Sequence, residues 1–207
     1  MSIVDDRLSL IFERLNNPKF LENQSLSNDM PYWVFDYNPE DELIVRDYLA
    51  HKLVPRFEKE GLNFHTIDLY DVMLSILDSR NLLERTYNLE LSKGFDHLKK
   101  TMDSVLEQKK VAKHIVDHFL KDNPSFIILH GVGNCFPYIK APALLNALHG
   151  ATGCTPVLLF FPGNYDGNMF ETLNVVEPDP YYRAFRLVPE KTSAELKTSN
   201  IQTITKV

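Results

Sequence analysis

The chain has 207 residues, 44% of them hydrophobic, with a formal net charge of −6. That is enough apolar material for one sizeable core, and the balance excludes a globally disordered chain or a surface dominated by phosphate-backbone contacts. Two cysteines, Cys135 and Cys154, make no secreted disulfide framework, the start of the chain has no signal-peptide pattern, and no apolar run approaches the ~20 residues of a membrane span, so a cytoplasmic protein is expected.

In chain order, residues 2–16 carry Ile3, Leu8, Ile11, Phe12 and Leu15, an amphipathic first helix. A polar loop, Glu22 to Pro31, leads to a first buried strand, Tyr32 to Tyr37. Asn38-Pro39-Glu40-Asp41-Glu42 then has a cap residue, proline at the first helical position and carboxylates in the first turn. The helix runs through Val45, Tyr48, Leu49, Leu53 and Phe57 to Gly61, and Pro55 predicts a kink or an early end. Phe64 to Leu69 reads as the second strand, followed by an amphipathic helix bearing Val72, Met73, Ile76 and Leu77.

Residues 81–121 read as all-helical, with Val105, Ala112, Val116 and Phe119 on the buried face of the last helix. Two continuous apolar runs, Phe126 to Leu129 and Val157 to Phe161, flank a helix with Ala141, Leu144, Leu145 and Leu148. Strand–helix–strand in that form predicts a parallel βαβ unit. Asn164 to Tyr182 reads as loop, Ala184 to Val188 as a last strand, and 190–207 as a polar tail expected to be partly disordered. The prediction is a single α/β domain, 1–189, with a mainly parallel sheet of about five strands, flanking helices and a helical insertion, 81–121, before the third strand.

That order resembles the P-loop NTPase scaffold, in degenerate form. A phosphate loop would follow the first strand and supply glycine N–H groups and a lysine. Asp36 to Glu42 supplies neither, and its carboxylates would repel a triphosphate, so no cofactor, no metal and no catalytic residue is assigned. Gly131 and Gly133, with His130, form a possible ligand loop at a strand end, although tight turns use glycines routinely. His114, Asp117 and His118 have helical metal-site spacing but read as a solvated face. His130, Cys135 and His149 could meet as nucleophile and base, against the commoner outcome of a buried thiol. Lys99, Lys100, Lys109, Lys110 and Lys113 alternate with acids, which disfavours direct nucleic-acid binding. Tyr165, Asp166, Tyr181, Tyr182, Arg183 and Arg186 are the candidate partner-binding residues, since the last third is rich in the aromatic and arginine side chains of interfaces. Asp166 has a second reading as the cap of its own turn, and Arg183 or Arg186 as its ion-pair partner.

Phe35 to Glu42, Gly131-Val132-Gly133 with Pro137, Leu144 to His149, Phe161 to Gly167 and Tyr181 to Pro189 together resemble the BrxB family, a core component of bacterial BREX phage-defence systems. The resemblance spans nearly the whole chain up to Pro189. It implies action beside an adenine methyltransferase, a large ATPase and the alkaline-phosphatase-like protein PglZ, with PglZ as binding partner and no catalytic residues to carry over. A non-catalytic adaptor is therefore expected. The alternative is a small nucleotide- or metal-sensing subunit or enzyme using Gly131, Gly133, His130 and Asp166.

Overall fold

The computed structural model describes residues 3–16, 32–153 and 155–189. The expected loop from Glu22 to Pro31, Cys154 and the polar tail 190–207 lie outside the described residues. The first helix is two: α1, Ile3–Ser9, and α2, Ile11–Leu15, broken at Leu10.

After β1, Tyr32–Tyr37, the Asn38 side chain caps a short 3-10 turn, Pro39–Asp41, by accepting from the Glu40 N–H. Helix α3, Glu42–Tyr48, runs through a wide turn at Leu49–Leu53 into α4, Val54–Lys59. The break falls just ahead of Pro55, which occupies the first turn of α4, where its missing N–H costs nothing. Strand β2, Phe64–Asp68, hands directly to α5, Leu69–Asp78, whose first turn is capped by Asp68 accepting from the Tyr70 N–H at 2.8 Å.

The stretch read as all-helical holds α6, Leu83–Lys93, α7, Phe95–Val105, and α8, Gln108–Phe119. In α8 the buried face is Val111, Ala112 and Ile115, while the expected Val116 and Phe119 are half-buried at its margin. Then follow β3, Phe126–His130, a single turn α9, Val132–Cys135, and α10, Ala141–Leu148. The chain ends its described part with β4, Val157–Tyr165, β5, Met169–Thr172, β6, Asp179–Pro180, and β7, Ala184–Arg186.

The main path of the sheet is β2-β3-β4-β1-β7, and each pairing along it is parallel. β4 continues past that path and pairs antiparallel with β5, and β5 with β6, so the sheet is mixed and has seven strands. The extra strands fall in the segment expected to be loop. They are four and two residues long, with Gly167 in the turn ahead of β5 and Pro180 in β6, too short to give a period-2 signal.

Side-chain parity on the strands sorts the core into two layers. Val34, Ile67, Ile127, Leu129, Leu159 and Phe161 face the helices after β2 and β3. Phe35, Tyr37, Phe126, Ile128, Leu158 and Phe160 face α1 to α4. Both faces of β3 and β4 are thus covered, which is why their sequences are unbroken apolar runs. On the second layer the Phe57 ring lies 5.2 Å from Phe64 and 5.4 Å from Phe126, edge to face. Truncating Phe57 to alanine in such a site costs about 3–5 kcal/mol.

Candidate functional site

All five strands of the main path point the same way, so Asp36, Asp68, His130, Pro162 and Arg186 gather at one edge of the sheet. At its centre is Asp36, 1% exposed. Its Oδ1 accepts from Arg7 Nη2 at 2.7 Å, and its Oδ2 accepts from Arg186 Nη2 at 2.6 Å and from the Tyr165 N–H at 3.2 Å. Arg7 reaches it from α1, passing over the Phe35 ring at 4.8 Å, and also donates to the Val188 carbonyl at 2.9 Å. Arg14 donates to the neighbouring Leu187 carbonyl at 2.7 Å. One carboxylate therefore ties the first helix, the first strand, the β4 extension and the last strand together. A buried carboxylate needs such partners, because charge without them is expelled from an apolar interior.

The candidate partner-binding residues divide into two groups. Tyr165 and Tyr181 are buried. The Tyr165 hydroxyl, with one proton to give, sits among the carbonyls of Ala184 at 2.9 Å, Gly167 at 3.0 Å and Tyr181 at 3.1 Å. Its ring stacks on Phe170 at 4.3 Å. These two tyrosines shape the segment from inside and do not reach its surface. Asp166 is exposed and caps its own turn, its Oδ1 accepting from the N–H groups of Asn168 and Met169, which hold its carboxyl below the ordinary range. The ion-pair partner of Arg186 is Asp36, with Asn164 Oδ1 at 3.1 Å, in place of the expected Asp166. Phe185, 61% exposed, stands on the outer strand β7, and Tyr182, 72% exposed, and the exposed Arg183 lie just ahead of it. Phe185 leans on Trp33 at 5.4 Å, and the Arg183 guanidinium lies 5.8 Å from the Tyr182 ring.

The His130 loop lies two strands away. Gly131 has φ +78°, and a Cβ there would run into the Asp68 carboxylate. A Cβ on Gly133 would meet Pro162 at 3.3 Å and Leu173 at 3.7 Å, so the β4–β5 hairpin closes over α9. His130 Nδ1 is 3.6 Å from Asp68, and burial holds its pKa down against the opposing pull of that carboxylate. Burial pushes the Cys135 thiol up to about 12, with Asp68 and Asp71 adding to it. His149 follows α10 at the opposite end of the sheet, its ring 6.4 Å from Tyr32, the first residue of β1. His130, Cys135 and His149 are thus not brought together. His114 and His118 stack at 4.0 Å, but His118 Nδ1 faces the His114 carbonyl at 2.8 Å and His114 Nε2 faces Ser75 at 3.2 Å. Lys99, Lys110 and Lys113 pair with Asp103, Glu107 and Asp117.

The sequence signature described as BREX protein BrxB matches residues 65–187, from β2 through β7. The chain belongs to the BrxB family. It is 36% identical to BREX protein BrxB of Escherichia coli over 188 residues, covering 91% of this chain and 93% of the relative. It is 32% identical to BREX protein BrxB of Bacillus cereus over 192 residues, covering 91% and 99%. No solved structure matches the chain. Membership of a family named for BREX implies a role in phage defence. Within the BrxB-matching segment lie Arg186, the His130 loop and the exposed β7 edge, whereas Arg7, Arg14 and Asp36 precede it. Arg7, Arg14 and Asn164 were not singled out by sequence reasoning. The available signal was an arginine on the apolar side of a helix, between Val4 and Leu8, where a solvated charge does not belong.

Proposed function

We propose that this BrxB-family chain is a non-catalytic interaction subunit of a BREX anti-phage system, working in the cytoplasm and docking on the PglZ-like protein, with the system's ATPase and methyltransferase as further neighbours. The observation that carries the reading is the pair of exposed aromatics at the outer edge of the sheet, Phe185 on β7 and Tyr182 just ahead of it. Aromatic side chains left in water on a strand edge are the usual anchors of a protein contact.

The arrangement at the strand ends supports the same reading. The crossover after β1 packs on one face of the sheet and the crossover after β3 on the other, so the carboxyl ends of β1 and β4 form the switch point where an open α/β sheet takes its ligand. There the Asp36 carboxylate is bonded to two arginines and a backbone N–H, and the Pro39 turn offers no glycine-lined cradle. A nucleotide-type scaffold whose site has been given over to internal contacts accounts for this better than a working phosphate site.

The test is co-expression with the PglZ-like protein of the same gene cluster, followed by mass determination of the eluted species. A defined complex is expected, undiminished by chelator and nucleotide. Separate elution would remove the assignment. A thermal-shift screen with ATP, GTP, cyclic nucleotides and divalent metals tests the competing ligand-sensing reading at His130 and Gly131. A ligand at 100 times its dissociation constant would add about 2.7 kcal/mol of stability, and no shift is expected.

A further inference from the structure

The β7 edge has a chemical bias beyond being apolar. Arg186 is 26% exposed along its side chain, yet its guanidinium is fixed at two points, by Asp36 Oδ2 and Asn164 Oδ1. Both bonds use Nη2, and the buried Nε finds no acceptor among the described residues. Asn164 is exposed, and with its oxygen taken by Arg186 its amide NH2 is left as a donor on the solvent side. Arg183 stands three residues earlier, exposed beside Tyr182. Arg7 and Arg14 lie just beneath, bonded to the carbonyls of Val188 and Leu187. Four guanidinium groups thus surround β7 in a chain whose net charge is −6. Of the carboxylates described there, Asp36 is fully engaged, and Asp166 and Glu171 stand on the neighbouring β4–β5 hairpin.

From this arrangement we infer that the β7 edge recognises an acidic segment of its protein partner, a carboxylate of that segment seating on Arg186 between Asn164 and Arg183 while Tyr182 and Phe185 hold its apolar neighbours. The inference rests on the docking reading above and names the chemistry of what docks. A guanidinium already fixed by Asp36 gives up little side-chain freedom on meeting a second carboxylate, which takes the Nη1 donors, since Nη2 is engaged and Nε is buried. β7 is also an outer strand, paired with β1 on one side and with no strand on the other among the described residues, so an extended segment can lie along it. Phe185 and Arg186 project to opposite faces of the sheet, which lets one segment touch both.

The experiment titrates the full-length chain with the PglZ-like protein at low and high salt. It compares the wild type with Arg183→Glu, Arg186→Lys, Phe185→Ser and, as a control on α8, Lys109→Glu. Arg183 is exposed and outside the Asp36 cluster, so Arg183→Glu reads recognition rather than folding. Expected are a loss of at least about tenfold in affinity for Arg183→Glu, weaker binding at high salt, and no change for Lys109→Glu. Arg186→Lys keeps the charge and loses the separate Nη1 donors, and an intermediate loss is expected. A wild-type complex that neither salt nor Arg183→Glu affects would overturn this inference and leave the docking reading standing. No wild-type complex at all would remove the docking reading itself. Binding of a labelled DNA duplex that Arg183→Glu abolishes, with the protein complex intact, would reassign the edge to nucleic-acid phosphate and also overturn the proposal.

Discussion

Replacing Asp36 by asparagine removes one negative charge from a site that holds two guanidinium groups. Arg7 is 4% exposed, and among the described residues its only other hydrogen-bond partner is the Val188 carbonyl. Breaking a buried pair by removing one partner costs about 3–5 kcal/mol, because the remaining charge stays desolvated. The Arg186 leg adds little, since a quarter of that side chain is in water and exposed pairs are worth about 0–1 kcal/mol. The Tyr165 N–H also loses its acceptor, unless the asparagine oxygen turns toward it. The expected loss for Asp36→Asn is therefore about 3–5 kcal/mol, set mainly by Arg7. In a chain of this length each kcal/mol moves the melting temperature by about 2–4 °C, so Tm should fall by roughly 10 °C. Urea unfolding followed by circular dichroism and by fluorescence, with coincident transitions, gives the free energy directly. Arg7→Met should cost nearly as much, because it leaves the buried Asp36 Oδ1 without its donor while Oδ2 keeps Arg186 and the Tyr165 N–H, and Arg186→Met about 1 kcal/mol. Asp36→Asn within about 0.5 kcal/mol of the wild type, or Arg186→Met costing more than Arg7→Met, would refute the reasoning.

Three further outcomes are expected. Tyr165→Phe leaves carbonyls of three segments without their shared donor and should cost about 1–3 kcal/mol in the same assay, with little change in the far-ultraviolet spectrum. Burial holds both His114 and His130 below the ordinary imidazole pKa, with His118 adding to the effect on His114, so each binds its proton more tightly in the unfolded chain. Stability is then full above about pH 6.5 and falls as the pH drops below it; the urea midpoint should fall between about pH 7.5 and about pH 5, and His114→Gln with His130→Gln should flatten that slope. In a Cys154→Ser chain, the Cys135 thiol at about 12 should resist Ellman's reagent near pH 8 until urea is added, whereas rapid reaction of the folded protein would contradict its burial.

How far the sequence carried depends on how local each cause is. The strands Phe126–His130 and Val157–Tyr165 and the helix Leu69–Asp78 follow from apolar patterns within a few residues, and the structure has them where those patterns lie. So does the cap at Asn38, because an N-cap is a contact with the second residue on. The Asp36 cluster is different in kind. Its partners are 29, 129 and 150 residues away, so Asp36 read only as one more carboxylate before a helix. The aromatic surplus of the last third was visible, but its division was not: Phe161, Tyr165, Phe170 and Tyr181 pack on one another inside, and Tyr182 and Phe185 remain outside. That division depends on the β4–β5 hairpin, which Gly163 permits with φ +146° where a side chain would meet the Glu171 carbonyl. A hairpin whose strands face each other over only three residue pairs leaves too short a pattern to read.

The strand order also sets when the molecule can close during synthesis. β1 leaves the ribosome before every other strand, yet its two neighbours in the sheet are β4 and β7, the latter the last strand described. Until residue 186 has been made, one or both edges of Tyr32–Tyr37 stand open, and Asp36 has only Arg7 of its two arginine partners. Such a nascent chain carries an open hydrogen-bonding edge, which invites pairing with other chains. Placing the earliest strand near the centre means that closure of the sheet waits until β7 has been made, and a chain cut short before β7 cannot protect its own first strand.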